Sequence, residues 1–233
     1  MSESTGPLPT NHSAPLLAAH GLSRVADGRT LLDGVSLELY AGERVAILGP
    51  TGSGKSVLLR ALVLLDPLST GEVFWHGQRV TAAEIPRFRS RIVYLQQRPA
   101  LSEGLVEGIL REPFALAAHR DRSFDRAGIV ARLTTLGRDA SFLAKLGRDL
   151  SGGEAQIVAL LRAMQLAPEV LLLDEPTAAL DADSTAQVET LVDGWLAEAA
   201  TQRACVWVTH DRVQADRVAQ RIVQLRGGSI VGE

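Results

Sequence analysis

A single cysteine, Cys205, stands among 233 residues, so no disulfide can close within the chain, and a reducing compartment is expected. Aromatic residues are scarce, 4% against 46% hydrophobic, and no Phe, Tyr or Trp precedes Tyr40. The core must therefore be built from Leu, Val, Ile and Ala, as parallel sheets covered by helices are, which points to an α/β fold. No apolar run approaches the length of a membrane span, and the N-terminus lacks the basic-then-apolar order of a secretory leader, so a soluble cytoplasmic chain is expected. A formal charge of -3 without a basic run provides no electrostatic pull toward polyanions, and nucleic acid is not an expected partner.

What is present begins with Gly49, Pro50, Thr51, Gly52, Ser53, Gly54, Lys55 and Ser56, which fill every fixed position of the phosphate-loop pattern G-x-x-x-x-G-K-[ST]. Glycines let successive backbone N–H groups turn toward phosphate oxygens, and the following helix aims its partial positive charge at them. Lys55 supplies a point charge for the outer phosphates and Ser56 a hydroxyl for Mg²⁺. A Gly-rich turn before a helix would be the plain alternative. Arg44–Leu48 reads as a buried strand entering the loop and Val57–Leu65 as an apolar helix leaving it, which is the order that phosphate binding requires.

Along the chain, 1–15 is polar and aperiodic and reads as a disordered extension. Turn signals at Asp27-Gly28 and Asp33-Gly34, with alternation over Val35–Leu39, predict an antiparallel sheet beside the loop, joined by Gly71–Trp75 and a turn at His76-Gly77. Arg91–Leu95 reads as a buried strand that delivers Gln96 and Gln97 at its carboxyl end, where α/β sheets place ligands. Helical spacing takes over from Glu103 to Met164. Val170–Leu173 and Cys205–Val208 are further buried strands, with a helix over Ser184–Ala200 between them. Ile222–Leu225 and Gly227-Gly228 predict a closing hairpin.

Two acids emerge from the strand Leu171–Leu173. Asp174 stands where a carboxylate can hold Mg²⁺ at a phosphate loop, and Glu175, one residue on, where it can orient and polarise an attacking water. Solvated acids at a strand end are the bland alternative, which the loop upstream disfavours. Ser151 and Glu154 satisfy the S-x-x-E capping box of a helix running to Met164. That cap leaves Gly152 and Gly153 unexplained, and a helix N-terminus with bare N–H groups would also serve a phosphate presented from outside.

At this point the chain resembles the ATP-binding-cassette family, the ATPase subunits of membrane transporters, over nearly all of residues 16–233. Gly49–Ser56 resembles its Walker A loop, Gln97 its Q-loop (preferred to Gln96 because Gln97-Arg98-Pro99-Ala100-Leu101 matches Gln-x-Pro-x-Leu), and Leu150–Glu154 its signature. Val170–Glu175 resembles Walker B, Ala179-Leu180-Asp181 the D-loop, and His210 in Val208-Thr209-His210-Asp211 the switch histidine. Glu154 replaces the commonest Gln of the signature, and no Thr-x-Val-Gly-Glu-Arg-Gly segment precedes Leu150, so resemblance to fused exporters is poor.

The resemblance implies a P-loop NTPase core of RecA-like type over 16–97 and 166–233, carrying an antiparallel β subdomain, with an inserted α-helical subdomain over 98–165. It implies ATP and Mg²⁺ as cofactors, with the metal on Ser56, Asp174 and Gln97, and with Glu175, His210 and Gln97 in the catalytic set. Ser151, Gly152, Gly153, Glu154 and Asp181 would meet nucleotide across a dimer of two cassettes. A separate transmembrane permease would receive the stroke, placing the chain peripherally on the inner face of the membrane. A non-transport cassette ATPase acting mechanically in the cell envelope is the alternative, and a small-molecule kinase does not account for Leu150–Glu154. Matching back from Gly49 puts Ala26, beside Val25, where the family carries an aromatic for the adenine, and His20 is the only nearby substitute.

Overall fold

The computed structural model describes residues 14–232. The predicted extension over 1–15 therefore lies outside the described residues except for Ala14 and Pro15. Among the described residues the strands form two sheets. The first is antiparallel, of β1 (Leu17–Ala26), β2 (Arg29–Leu39), β4 (Thr70–Trp75) and β5 (Gln78–Arg79) in the order β2-β1-β4-β5. Gly28, in the left-handed region with φ 71°, makes the β1–β2 turn as predicted. Asp33-Gly34 does not make a turn. It lies inside β2, where the pairing slips between Leu22↔Val35 and Arg24↔Leu32 and Gly34 takes φ 61°, so a local turn signal became an irregularity within one long strand.

The second sheet runs β10-β9-β3-β8-β7-β6. Its members are β3 (Arg44–Leu48), β6 (Ile92–Leu95), β7 (Val170–Asp174), β8 (Ala204–Val208), β9 (Arg221–Arg226) and β10 (Ser229–Gly232). All neighbours pair parallel except the β9–β10 hairpin. β7 and β8 are buried at every residue, which is why they read as unbroken apolar runs. α1 (Lys55–Leu62) leaves β3 through the phosphate loop. It ends before the predicted Leu65 because Leu64 turns to φ 55°, a conformation a helix cannot contain.

Two apolar clusters sandwich the parallel sheet. Ile47, Leu58, Leu172 and Val206 join the antiparallel sheet's Leu22, Leu32 and Val73 on one face. Leu171, Leu173 and Trp207 meet α3 (Val106–Arg111), α4 (Arg126–Thr135), α5 (Gly152–Met164) and α6 (Ala182–Ala197) on the other. The alternation of strand side chains thus separates two cores. The stretch predicted as helical over Glu103–Met164 is more broken than its spacing suggests: α3, α4 and α5 are linked by single turns of 3₁₀ helix, with Pro113 in the first. α2 (Ile85–Arg89) precedes β6, and α7 (Arg212–Val218) follows β8. No helix among the described residues is long and apolar enough to cross a membrane.

Candidate nucleotide site

The carboxyl ends of β3, β7 and β8 bring together residues far apart in sequence, as open parallel sheets do. A cavity of about 550 Å³ opens there, lined by Thr51, Gly52, Gly54, Lys55 and Ser56 together with Gln97, Glu175 and His210. The loop around it admits no side chain at two points. A Cβ on Gly49 would stand 2.3 Å from the Leu225 carbonyl oxygen, and one on Gly54, at φ 103°, 2.8 Å from that of Leu31. Gly54 is also the N-cap of α1 and supplies no side-chain acceptor, and no acid stands in the first turn, so the helix's first N–H groups are left for an external anion. Buried Lys55 reaches back across the loop, its Nζ donating to the carbonyls of Gly49 at 2.7 Å and Pro50 at 3.0 Å. The buried Ser53 hydroxyl has no protein partner. A glycine cradle, a lysine across it and an uncapped helix fit a polyphosphate.

Asp174 ends β7 in a buried position and accepts a hydrogen bond from the Tyr94 hydroxyl at 3.0 Å. Burial and the adjacent Asp174 carboxylate push the Tyr94 phenol well above its ordinary value, so Tyr94 stays a donor. Glu175 takes φ 47°, which a glutamate adopts only where its surroundings hold it, and its amide donates to the Val208 carbonyl at 3.1 Å. That twist accompanies a change of neighbourhood between adjacent acids. Asp174 is buried against Tyr94, while the Glu175 side chain accepts from Gln97 Nε2 at 2.9 Å and lies 3.6 Å from His210 Nδ1. Gln97, Glu175 and His210, from three separate segments, thus meet over the phosphate loop.

Ser151, Gly152, Gly153, Glu154 and Asp181 are not in this cavity. The capping box is complete: Ser151 Oγ accepts from the Glu154 amide at 3.2 Å and Glu154 Oε2 from the Ser151 amide at 3.0 Å. Lys145 bonds the same carboxylate and holds it below the usual range, so the side chain of Glu154 is engaged within its own chain. Gly152 is exposed, as expected, but Gly153 is buried. A Cβ on Gly153 would meet Ala179 O at 2.8 Å and Leu180 Cδ2 at 2.7 Å, so this glycine has an intrachain explanation that spacing alone did not reveal. Asp181 caps α6, accepting from the Ser184 amide at 2.8 Å, a bond that lowers its pKa. The Ala179–Asp181 segment is therefore packed closely against the start of α5 at Gly153.

Several contributors escaped sequence reasoning. Thr30, Leu31, Gly227 and Gly228 line the cavity. Gly228 donates to Ser53 O at 3.0 Å, and a Cβ there would stand 2.8 Å from Leu31 O, so the closing hairpin is also a wall of the site. The paired glycines were the only signal. Tyr94 could have been suspected as a polar-tipped ring in a strand leading to Gln97. His20 does not serve the cavity. It stacks on Phe74 with centroids 4.9 Å apart and lies 3.8 Å from Glu38, lining a different recess with Tyr40 and Arg221.

A phosphate loop leaving a parallel strand, with acids at the end of a neighbouring strand, defines a P-loop nucleotide hydrolase. The ABC transporter family model matches residues 32–178. Over 222 residues the chain is 37% identical to ABC transporter I family member 17 of Arabidopsis thaliana, covering 94% of this chain and 82% of that one. Over 228 residues it is 39% identical to the hemin import ATP-binding protein HmuV of Streptomyces coelicolor, covering 96% and 80%. The dimeric, post-hydrolysis structure of the ATP-binding cassette MJ0796 bound to ADP and Pi superimposes with a TM-score of 0.78 at 27% identity, covering 93% of this chain and 97% of that one. The chain belongs to the ABC transporter family, as an ATP-binding, ATP-hydrolysing subunit.

Proposed function

We propose that two copies of this chain close head to tail on two ATP molecules and that the resulting stroke drives a separate membrane permease, which holds the chain on the inner face of the membrane. The observation that carries this reading is the separation of the two glycine-rich helix starts. Lys55 and Glu175 share one cavity, while Ser151 and Gly152 are exposed outside it. A second copy brings the missing helix N-terminus, and the dimeric cassette MJ0796, on the same fold, supports this reading. The helical region packed against β6 and β7 carries the motion outward.

Within one site, Gly49–Ser56 bind the phosphates and Lys55 neutralises the outer two. Glu175 accepts the proton of the water attacking the γ-phosphorus, His210 sits beside that carboxylate as γ-phosphate sensor, and Gln97 restrains it from the other side. Ser56, Asp174 and the amide oxygen of Gln97 would hold Mg²⁺, which would supply positive charge to neutralise the phosphates. Glu175→Gln keeps the Gln97 contact and removes the proton acceptor. This variant is expected to bind ATP normally, lose turnover by about a hundredfold or more, and convert from monomer to dimer with ATP and Mg²⁺ on a sizing column. Hydrolysis at the parent rate would overturn the assignment.

A further inference from the structure

Behind the Glu175–His210 pair lies a buried polar cluster that no step above uses. Gln214, on the first turn of α7, is buried, and each polar group of its amide has a partner. Its Nε2 donates to Thr177 Oγ1 at 3.0 Å and to Glu189 Oε1 at 2.9 Å, and its Oε1 accepts from Thr209 Oγ1 at 2.7 Å. Glu189 also receives two bonds from Arg217, at 2.6 and 2.7 Å. The donors and acceptors run in one direction. An ionised Glu189 only accepts, so the amide must turn its NH₂ toward it. Thr209 must then donate its hydroxyl proton to the amide oxygen, while its oxygen accepts from the Asp211 amide at 3.1 Å. Burial alone would raise the Glu189 pKa, but the bonds from Arg217 and Gln214 outweigh it and keep the carboxylate ionised.

The three segments tied by this one amide are informative. Thr209 immediately precedes His210, Thr177 follows Glu175 by two residues, and Glu189 stands on α6, whose N-cap is Asp181. His210 itself is exposed and rides on the chain that buried Thr209 anchors. The Thr177 segment is short and turn-like, with the Ala178 and Leu180 amides bonded to the Glu175 and Thr177 carbonyls.

We propose that Gln214 is a positioning residue for hydrolysis: it sets the separation of His210 and Glu175 by holding Thr209 and Thr177 to one amide. The inference rests on the catalytic roles proposed above for Glu175 and His210. Displacement by about an ångström at a reacting group is enough to cost on the order of a hundredfold in rate, so loss of the strut is expected to act on turnover rather than on nucleotide binding.

The test is Gln214→Met, which keeps the volume and removes all three bonds, alongside Thr209→Val, Thr177→Val and the double variant Gln214→Met/Thr209→Val. ATPase rates are normalised to ATP-binding sites. Gln214→Met is expected to lower kcat about tenfold with KM for ATP within about twofold, Thr209→Val to reproduce most of that loss, and the double variant to be no slower than Gln214→Met alone. A parent kcat in Gln214→Met, a rise in KM that accounts for the loss, or losses that multiply in the double variant would each overturn the proposal. If Gln214→Met does not fold, Thr209→Val and Thr177→Val decide: unchanged kcat in both overturns it, and a kcat-only loss in both supports it. Glu175→Gln separates the two layers. Its retained activity would refute the role of Glu175, whereas an inactive Glu175→Gln beside a fully active Gln214→Met would refute the strut alone.

Discussion

The adjacent glycines at the start of α5 give a test in which one methyl group separates two roles. In Gly153→Ala the new Cβ would lie 2.8 Å from the Ala179 carbonyl oxygen, well inside the 3.4 Å at which ordinary contact begins. That carbonyl cannot easily retreat, because the Ala178 and Leu180 amides are bonded to Glu175 and Thr177 and Asp181 caps α6 next to it. Overpacking of this kind costs about 1–3 kcal/mol, and the better helix propensity of alanine returns at most about 1 kcal/mol. A net loss of about 1–2 kcal/mol corresponds to a Tm lower by roughly 2–8 °C for a chain of this size. In Gly152→Ala the Cβ would meet only Ala179 Cβ at 3.7 Å, an ordinary contact, so thermal unfolding should show an unchanged or raised Tm. ATPase assays then distinguish the roles. Gly152→Ala should lose turnover about tenfold or more despite its stability if two copies close as proposed above, because the added methyl would crowd the exposed start of α5 that the proposed dimer sets against the second copy's nucleotide. Gly153→Ala should lose both stability and turnover. A parent Tm in Gly153→Ala would refute the packing argument, and parent hydrolysis in Gly152→Ala would remove Gly152 from the phosphate-facing surface.

Other outcomes follow from the same structure. Burial pushes the Cys205 thiol up to about 12, so a disulfide reagent at pH 8 should label it only through unfolding, at a rate that rises with urea; fast labelling of the native chain would contradict its burial. Glu189 has a folded pKa below its ordinary 4.5, so its stabilisation is present above that pH and is lost as pH falls through the lower folded value. Urea midpoints should therefore place Glu189→Gln below the parent at pH 7, with the gap closing in acid; a gap that is constant with pH would refute this. With Val25 exposed at the end of β1 and no ring among the residues lining the cavity except His210, Ala26→Tyr should tighten ATP binding by about 1–3 kcal/mol, and His20→Ala should not change it. A loss of affinity in His20→Ala would overturn its placement in the separate recess.

Contiguous features were legible in the chain itself. The phosphate loop, the strands Arg44–Leu48 and Val170–Leu173 and the Ser151–Glu154 cap each settle within a few residues, through glycine freedom, apolar runs and a side chain's reach to its own helix. The ring missing before Tyr40 was equally visible. Features that depend on which strands become neighbours were not. Tyr94 meets Asp174 across 80 positions and Gln97 meets Glu175 across 78, because β6 pairs with β7 in parallel register. Gly228 closes on Ser53 only because β9 lies beside β3. The difference between Gly152 and Gly153 arises where the Ala179–Leu180 turn comes to rest, and the fates of Asp33-Gly34 and His20 turn on pairing within the antiparallel sheet. Local backbone preference is encoded over a turn or a strand, whereas contact between distant segments is decided by the sheet order that buries the most apolar surface, and that order belongs to the whole chain.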